Sequence, residues 1–292
     1  MTHNINYNSA SALRSFLEKE GLAMRKKFGQ NFLINPAVRK TLSDALCAGT
    51  GDEVWEIGPG LGAMTALLLE KGLRVKAFEI DTGFIKILKS IFANNKNFNI
   101  VEGDCLKTWN AQEPADFLFG NLPYNIAAVL LADLIEKNRI FSRIVVTVQK
   151  ETALRMAARP GSKDYSSFSV LCSSVYKVTP IIPISPSSFY PSPNVESMGV
   201  LLEADQEKIK MHKPDVFYKL VRALFSSRRK TVKNNLLSFI AAGIEQFPPG
   251  SDKQKICESI LSDNGLSGNE RAEKLGFEIF LSLAKSIENM RK

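Results

Sequence analysis

The sequence predicts an α/β fold, a doubly wound and mostly parallel sheet, followed by a small helical C-terminal domain. Three observations predict it. Short apolar runs such as Glu53-Val54-Trp55-Glu56-Ile57 and Phe117-Leu118-Phe119-Gly120 alternate with segments of helical periodicity, the pattern of βαβ units. A tight glycine loop, Gly58-Pro59-Gly60-Leu61-Gly62, separates the first of these runs from its helix. Beyond the polar stretch Ala204 to Lys213 only helical periodicity remains, as in a helical bundle.

Taken in order, a mobile terminus leads into a short amphipathic helix, Ser11 to Glu20. Asn35-Pro36 supplies an N-cap and a first-turn proline for a helix to about Ala48. Glu53 to Ile57 is the first strand, Ala63 to Lys71 a helix capped by Gly72, and Arg74 to Glu79 the second strand. Asp81 begins the next helix, Phe98 to Val101 is the third strand and ends at Gly103-Asp104, and Phe117 to Gly120 is the fourth. Ile126 to Lys137, Ile144 to Val148 and Glu151 to Ala158 read as helix, strand and helix. Ser166 to Tyr176 fits helix or strand. Pro180 and Pro183 restrict Val178 to Ile184 to an edge strand at best. A Pro/Ser-rich loop, Ser185 to Ser197, precedes the closing strand Met198 to Glu203. Helices are expected over Asp215 to Phe225, Arg229 to Ala241, Lys253 to Leu261 and Phe277 to Lys285.

Composition excludes several classes. With 45% hydrophobic and 23% charged residues over 292 positions the chain is of ordinary globular type. No apolar stretch is long enough to span a bilayer, and Met1 to Glu20 lacks the apolar core of a signal peptide, so a cytoplasmic protein is expected. Cys47, Cys105, Cys172 and Cys257 are scattered without a CxxC pair, and His3 and His212 are the only histidines. That is neither a metal framework nor a disulfide scaffold, so no metal is expected. The net charge of +8 is uneven: residues 1–205 hold 22 Lys and Arg against 20 Asp and Glu, and residues 206–292 hold 16 against 10. The excess in the smaller part suits a nucleic-acid-binding appendage.

The loop at Gly58 is G-x-G-x-G, one residue short of the fingerprint that cradles a pyrophosphate, and it lacks the Lys-Ser/Thr of a P-loop. It suits a cofactor without phosphate, such as S-adenosylmethionine, whose amino-acid end can approach bare backbone at Gly58 and Gly60. Glu79 then accepts from both ribose hydroxyls, and Asp104 from the adenine amine. Asn121-Leu122-Pro123-Tyr124 follows on the next strand end, where ligands bind in open α/β sheets. An exocyclic amine is a poor nucleophile because its lone pair is delocalised. The Asn121 oxygen and a backbone carbonyl next to Pro123 can hold its hydrogens while the lone pair localises, and Tyr124 offers a flat stacking face. Phe189 could stack on the opposite side or simply pack. Arg25, Lys26 and Lys27 precede Phe28 and Phe32, a mixture that can serve phosphates and bases or act as a lid over a pocket. Arg222, Arg228, Arg229, Lys230 and Lys233 concentrate cations in the C-terminal part, read as phosphate contacts.

Several stretches together resemble the ribosomal RNA adenine dimethyltransferases, and within them the bacterial small-subunit branch. They are Lys26-Lys27-Phe28-Gly29-Gln30-Asn31-Phe32-Leu33, Glu56-Ile57-Gly58-Pro59-Gly60, Gly120-Asn121-Leu122-Pro123-Tyr124-Asn125-Ile126, Gln149-Lys150-Glu151, Phe189 to Ser197 and Arg228-Arg229-Lys230-Thr231. The resemblance implies a Rossmann-like class I S-adenosylmethionine-dependent methyltransferase domain over 1–205 and a helical RNA-binding domain over 206–292. It implies dimethylation of N6 on two adjacent adenosines in the 3′-terminal hairpin of 16S rRNA, within a small-subunit precursor. It adds Asn31 and Leu33 to the cofactor residues and sets the target adenine between Tyr124 and Phe189. A monomer is expected, because the C-terminal helices show no long unsatisfied apolar face. Two rivals remain: the erythromycin-resistance methyltransferases, which act on 23S rRNA, and an assembly factor whose binding outweighs its chemistry.

Overall fold

The computed structural model describes residues 5–22, 24, 30–122, 126–211 and 216–291. The chain divides into two compact units, one of Met1–Ala153 with Lys177–Ala204 and one of Leu154–Tyr176 with Asp205–Lys292.

The first unit begins with helix α1 (Ala10–Lys19), strand β1 (Phe32–Leu33) and helix α2 (Pro36–Ala45). Asn35 caps α2 as its sequence requires: its side-chain oxygen accepts from the backbone N–H of Ala37 at 3.0 Å and of Val38 at 3.2 Å, and Pro36 occupies the first turn. Then β2 (Glu53–Ile57), α3 (Ala63–Glu70), β3 (Arg74–Glu79), α4 (Thr82–Ile91) and β4 (Phe98–Glu102) alternate, followed by the short α5 (Cys105–Thr108), β5 (Phe117–Asn121), α6 (Ala127–Glu136) and β6 (Arg143–Gln149). Helix α7 (Lys150–Ala157) and α8 (Ser167–Ser173) precede β7 (Tyr176–Ile184), β8 (Phe189–Tyr190) and β9 (Ser197–Ala204). The run that fitted helix or strand is therefore helix first and strand only from Tyr176.

Seven strands form one sheet in the order β4-β3-β2-β5-β6-β9-β7. The pairs from β4 to β6 are parallel, and β9 runs antiparallel to β6. β7 lies at the edge, the position in a sheet that tolerates its prolines. β1 and β8 make a separate antiparallel pair, Phe32 opposite Tyr190 and Leu33 opposite Phe189. The central strand is buried along Val54 to Ile57, as a parallel sheet covered on both faces demands. One cluster packs α2 and α3 on the sheet through Leu42, Leu68, Val54 and Val145. Trp55 is fully buried against Phe78 and Phe141, with ring centroids 4.9 and 5.3 Å away.

The second unit contains α9 (Gln206–Lys210), where the sequence reads as linker, and α10 (Phe217–Phe225), α11 (Val232–Ala242), α12 (Lys253–Asp263) and α13 (Phe277–Arg291). Its core joins Leu220, Leu224, Leu236, Ile260, Phe280 and Ala284. The expected boundary at 205/206 is more complex than a single cut. Leu154–Tyr176 groups with the C-terminal helices because Tyr165 and Val170 are buried in their core, and the Tyr165 hydroxyl donates to the Leu275 carbonyl at 2.9 Å. Among the described residues no helix is long and apolar enough to cross a membrane.

Candidate functional site

Strand register brings the site together. Ile57 of β2 lies opposite Phe78 of β3 and Gly120 of β5, Glu79 lies opposite Glu102 of β4, and Asn121 lies opposite Thr147 of β6. The next row along the carboxyl edge therefore holds Gly58, Glu79 and Asn121, with Gly103 one residue past it on the β4 side, residues far apart in sequence. They line a cleft of about 230 Å³, together with Asn31, Leu33, Gly60 and Asp104.

The glycine loop turns tightly. Gly58 and Gly60 have φ of +70° and +58°, and a Cβ on Gly60 would come within 3.0 Å of the Phe32 ring, so only glycine fits there without strain. The Gly60 N–H donates to Glu79 Oε2 at 3.2 Å, while the N–H groups of Ile80 and Asp81 donate to Oε1 at 2.9 and 2.8 Å. Burial nevertheless outweighs these three donors and pushes the Glu79 carboxyl up to about 7. Glu56, 1% exposed, accepts from the Thr65 hydroxyl at 2.7 Å. Burial, and after it the like charge of Glu79, also raises Glu56 to about 7. Two buried carboxyl groups at one cleft favour a ligand that carries positive charge.

Asn121 is held on both sides of its carboxamide. Its Nδ2 donates to the Asn31 carbonyl at 2.7 Å, and its Oδ1 accepts from the Thr147 hydroxyl. Among the described residues, one lone pair of Oδ1 remains for another donor. Asp104 caps α5, its Oδ1 accepting from the Leu106 N–H at 3.0 Å.

All the cofactor residues expected from the sequence, Asn31, Leu33, Gly58, Gly60, Glu79, Asp104 and Asn121, thus line one cleft. Leu122 is buried, and its N–H donates to the Thr147 carbonyl at 3.2 Å. Pro123 and Tyr124, with Arg25, Lys26 and Lys27, lie outside the described residues. Phe189 is 4% exposed and packs with Leu33, Val38 and Leu42. Pairing of β8 with β1 turns its ring into the core, so in this structure the ring packs rather than presenting a free face. In the second unit the exposed Arg228 pairs with Glu273 at 3.0 Å and donates to the Lys163 carbonyl, and Lys233 pairs with Glu258 at 3.2 Å. Arg222, Arg229 and Lys230 are exposed.

Sequence reasoning missed four residues of the site. Gln30 lines the cleft and donates to Asp81 Oδ2 at 3.1 Å. Tyr7 also lines it, its hydroxyl donating to the Leu61 carbonyl at 2.9 Å. Glu56 carried a usable signal, a charge inside an apolar strand just before the glycine loop. Thr147 and Tyr7 carried none, because only long-range register and the packing of α1 bring them in.

Comparisons with known proteins agree with one another. The profile of the family described as "Ribosomal RNA adenine dimethylase" matches residues 21–258. "Ribosomal RNA small subunit methyltransferase A" of Treponema denticola is 48% identical, covering 98% of this chain and 97% of that protein. The protein of the same name from Treponema pallidum is 43% identical over 97% of each. Among solved structures, a dimethyladenosine transferase from Plasmodium falciparum has a TM-score of 0.75 and 27% identity, covering 88% of this chain and 97% of that one. The 23S rRNA methyltransferase ErmE, at a TM-score of 0.63 and 19% identity over 88% and 99%, shares the fold.

Proposed function

The chain belongs to the ribosomal RNA adenine dimethylase family, and from that premise we propose that it dimethylates N6 of two adjacent adenosines in the 3′-terminal hairpin of 16S rRNA. It acts with S-adenosylmethionine on a small-subunit precursor, as a cytoplasmic monomer, in ribosome biogenesis. The observation that carries the reading is the convergence of Gly60, Glu79, Asp104 and Asn121 on one cleft. The names of its nearly full-length relatives favour the small subunit over the 23S substrate of the ErmE comparison.

The cleft fits the cofactor. Bare backbone at Gly58 and Gly60 admits its amino-acid end, Glu79 accepts from a ribose hydroxyl through the acceptor site that Gly60 leaves on Oε2, and Asp104 accepts from its adenine amine. The two buried carboxyls match a cationic ligand, and the net +8 of the chain does not oppose them because they act at close range. When bound, S-adenosylmethionine supplies an electrophilic methyl group on a sulfonium.

The protein's own part is to prepare the nucleophile. The target adenosine leaves its stack, at a cost of a few kcal/mol, and Tyr124 offers the face that receives it. Asn121 Oδ1 accepts one N6–H through its remaining lone pair and the Leu122 or Pro123 carbonyl accepts the other. The nitrogen lone pair is thereby aimed out of the ring plane, in line for attack. Transfer would break the methyl–sulfonium bond and leave the sulfur as a neutral thioether, and the alkylated, positively charged N6 would be acidic enough to give its proton to water, so no strong base is needed. Phe189 supports the site from beneath by pairing with Leu33, next but one to the Asn31 carbonyl that holds Asn121. The exposed Arg222, Arg229 and Lys230 meet RNA phosphates.

Labelled-methyl transfer to unmethylated small subunits, naked 16S rRNA and 23S rRNA tests the reading. Dimethyladenosine is expected in small-subunit material alone, with Asn121→Ala reducing it by about a hundredfold or more. Label in 23S rRNA would move the chain to the resistance enzymes, and tight subunit binding without label would favour an assembly factor.

A further inference from the structure

Thr147 sits in the middle of the sheet within Ile144-Val145-Val146-Thr147-Val148, five consecutive buried residues of β6 of which it alone carries a hydroxyl. It is 1% exposed. A hydroxyl buried in an apolar run is costly unless bonded, and valine would fill the same space. Its bond goes to Asn121 Oδ1, across the register pair Asn121 and Thr147.

We infer that Thr147 is a positioning residue for amine methylation: it fixes the Asn121 carboxamide in the one orientation that presents an acceptor to the substrate. This rests on the function proposed above. The two ends of the carboxamide are held differently. The Asn31 carbonyl can only accept, so it selects the Nδ2 end at 2.7 Å. The Thr147 hydroxyl donates to the other end and, among the described residues, leaves one lone pair of Oδ1 unused. Turning the carboxamide over would set oxygen against the Asn31 carbonyl and discard the hydroxyl's donor. With both partners in place the acceptor is aimed before the adenosine arrives, and such preorganisation counts in the transition state. Without Thr147 only one edge is pinned and the plane can rock about the bond to Asn31. The Leu122 N–H, which donates to the Thr147 carbonyl, ties the following residue to the same position through backbone and does not depend on the side chain. A valine therefore removes the aim and keeps the strand.

The test uses the full-length protein with Thr147→Val and Thr147→Ser, under saturating and limiting small subunits. Thr147→Val is expected to lower kcat about tenfold, with KM for subunits and the dissociation constant for S-adenosylmethionine within twofold of wild type and an unchanged melting temperature. Thr147→Ser, which restores the hydroxyl, is expected to recover kcat to within about threefold. Wild-type kcat in Thr147→Val, or equal losses in the Val and Ser variants, would overturn the inference. The ratio of variant to wild type is read on whichever RNA accepts label, so labelling of 23S rRNA would overturn the substrate reading while leaving the role of Thr147 to be decided by the same ratio. A wild type that labels no RNA would overturn both.

Discussion

Glu56 and Glu79 share a cleft and are both raised from an ordinary 4.5 to about 7, with consequences of opposite sign. A carboxyl raised by folding holds its proton more tightly in the native state, so the stability linked to it is full below about 4.5 and is lost as pH rises through about 7. Thermal melts of the ligand-free protein are expected to show a falling melting temperature across that window, with Glu56→Gln flattening part of the slope. Affinity for S-adenosylmethionine should rise over the same window, because the ionised Glu79 keeps an acceptor site on Oε2 for a ribose hydroxyl and attracts the sulfonium. Calorimetric titration at pH 6 and pH 8 checks this, and a pH-independent affinity would speak against Glu79 as the ribose acceptor. At Gly60 both the φ of +58° and the nearby Phe32 ring forbid a side chain, so Gly60→Ala is expected to weaken cofactor binding about tenfold and to cost roughly 1–3 kcal/mol of stability.

At the scale of elements, a buried cation helps to bind the segment before α1 into the first unit, beside the bond from the Tyr7 hydroxyl to the Leu61 carbonyl. Arg39 of α2 donates to the carbonyls of Leu33 at 2.7 Å and Tyr7 at 3.1 Å and to the Asn8 side chain. Leu13 and Leu17 of α1 are buried in one cluster with Phe32, Leu61, Phe84 and Ile87. Arg39→Met would strand two carbonyls, each worth about 1–3 kcal/mol when left unpaired. It is expected to lower the melting temperature and to weaken cofactor binding, since Tyr7 and Leu33 both line the cleft. The strands and helices that follow were largely readable in the chain. Repeated apolar runs, an Asn-Pro cap and strand-end glycines are local signals, and they located β2 to β6 to within a residue or two. The β1–β8 pair was not readable: two residues pairing across more than 150 positions leave no periodicity. The same reason hides Thr147, whose role exists only in register, and Tyr7, whose segment reads as a frayed end. Glu79, Asp104 and Asn121 were legible because strand ends can be found locally and sheets of this class bind ligands there.

At the scale of the whole molecule, local ion pairs reshape the basic excess. The second unit's excess looked like one basic cluster, yet Arg228 and Lys233 are partly neutralised by Glu273 and Glu258. The exposed Arg229 and Lys230 are therefore expected to carry more of the RNA contact. Replacing both with Gln should weaken small-subunit binding without altering affinity for S-adenosylmethionine, and reduce the slope of log affinity against log salt by about 1 per residue. An unchanged slope would remove them from the interface. Charge of this kind can be moved between proteins by grafting a surface, but the units themselves cannot. The chain enters the helical unit after Ala153, leaves it after Tyr176 and returns after Ala204, so neither unit is a contiguous cassette. A ribosome has released most of the catalytic sheet before β9 exists to pair with β6, and the core around Tyr165 must wait for Leu275, more than a hundred residues later. Truncation at residue 205 would strand Tyr165 and Val170 without their core, and a chimera made by exchanging only the C-terminal segment would inherit half of a fold. Any lineage that exchanged this unit whole had to change two stretches of gene in concert.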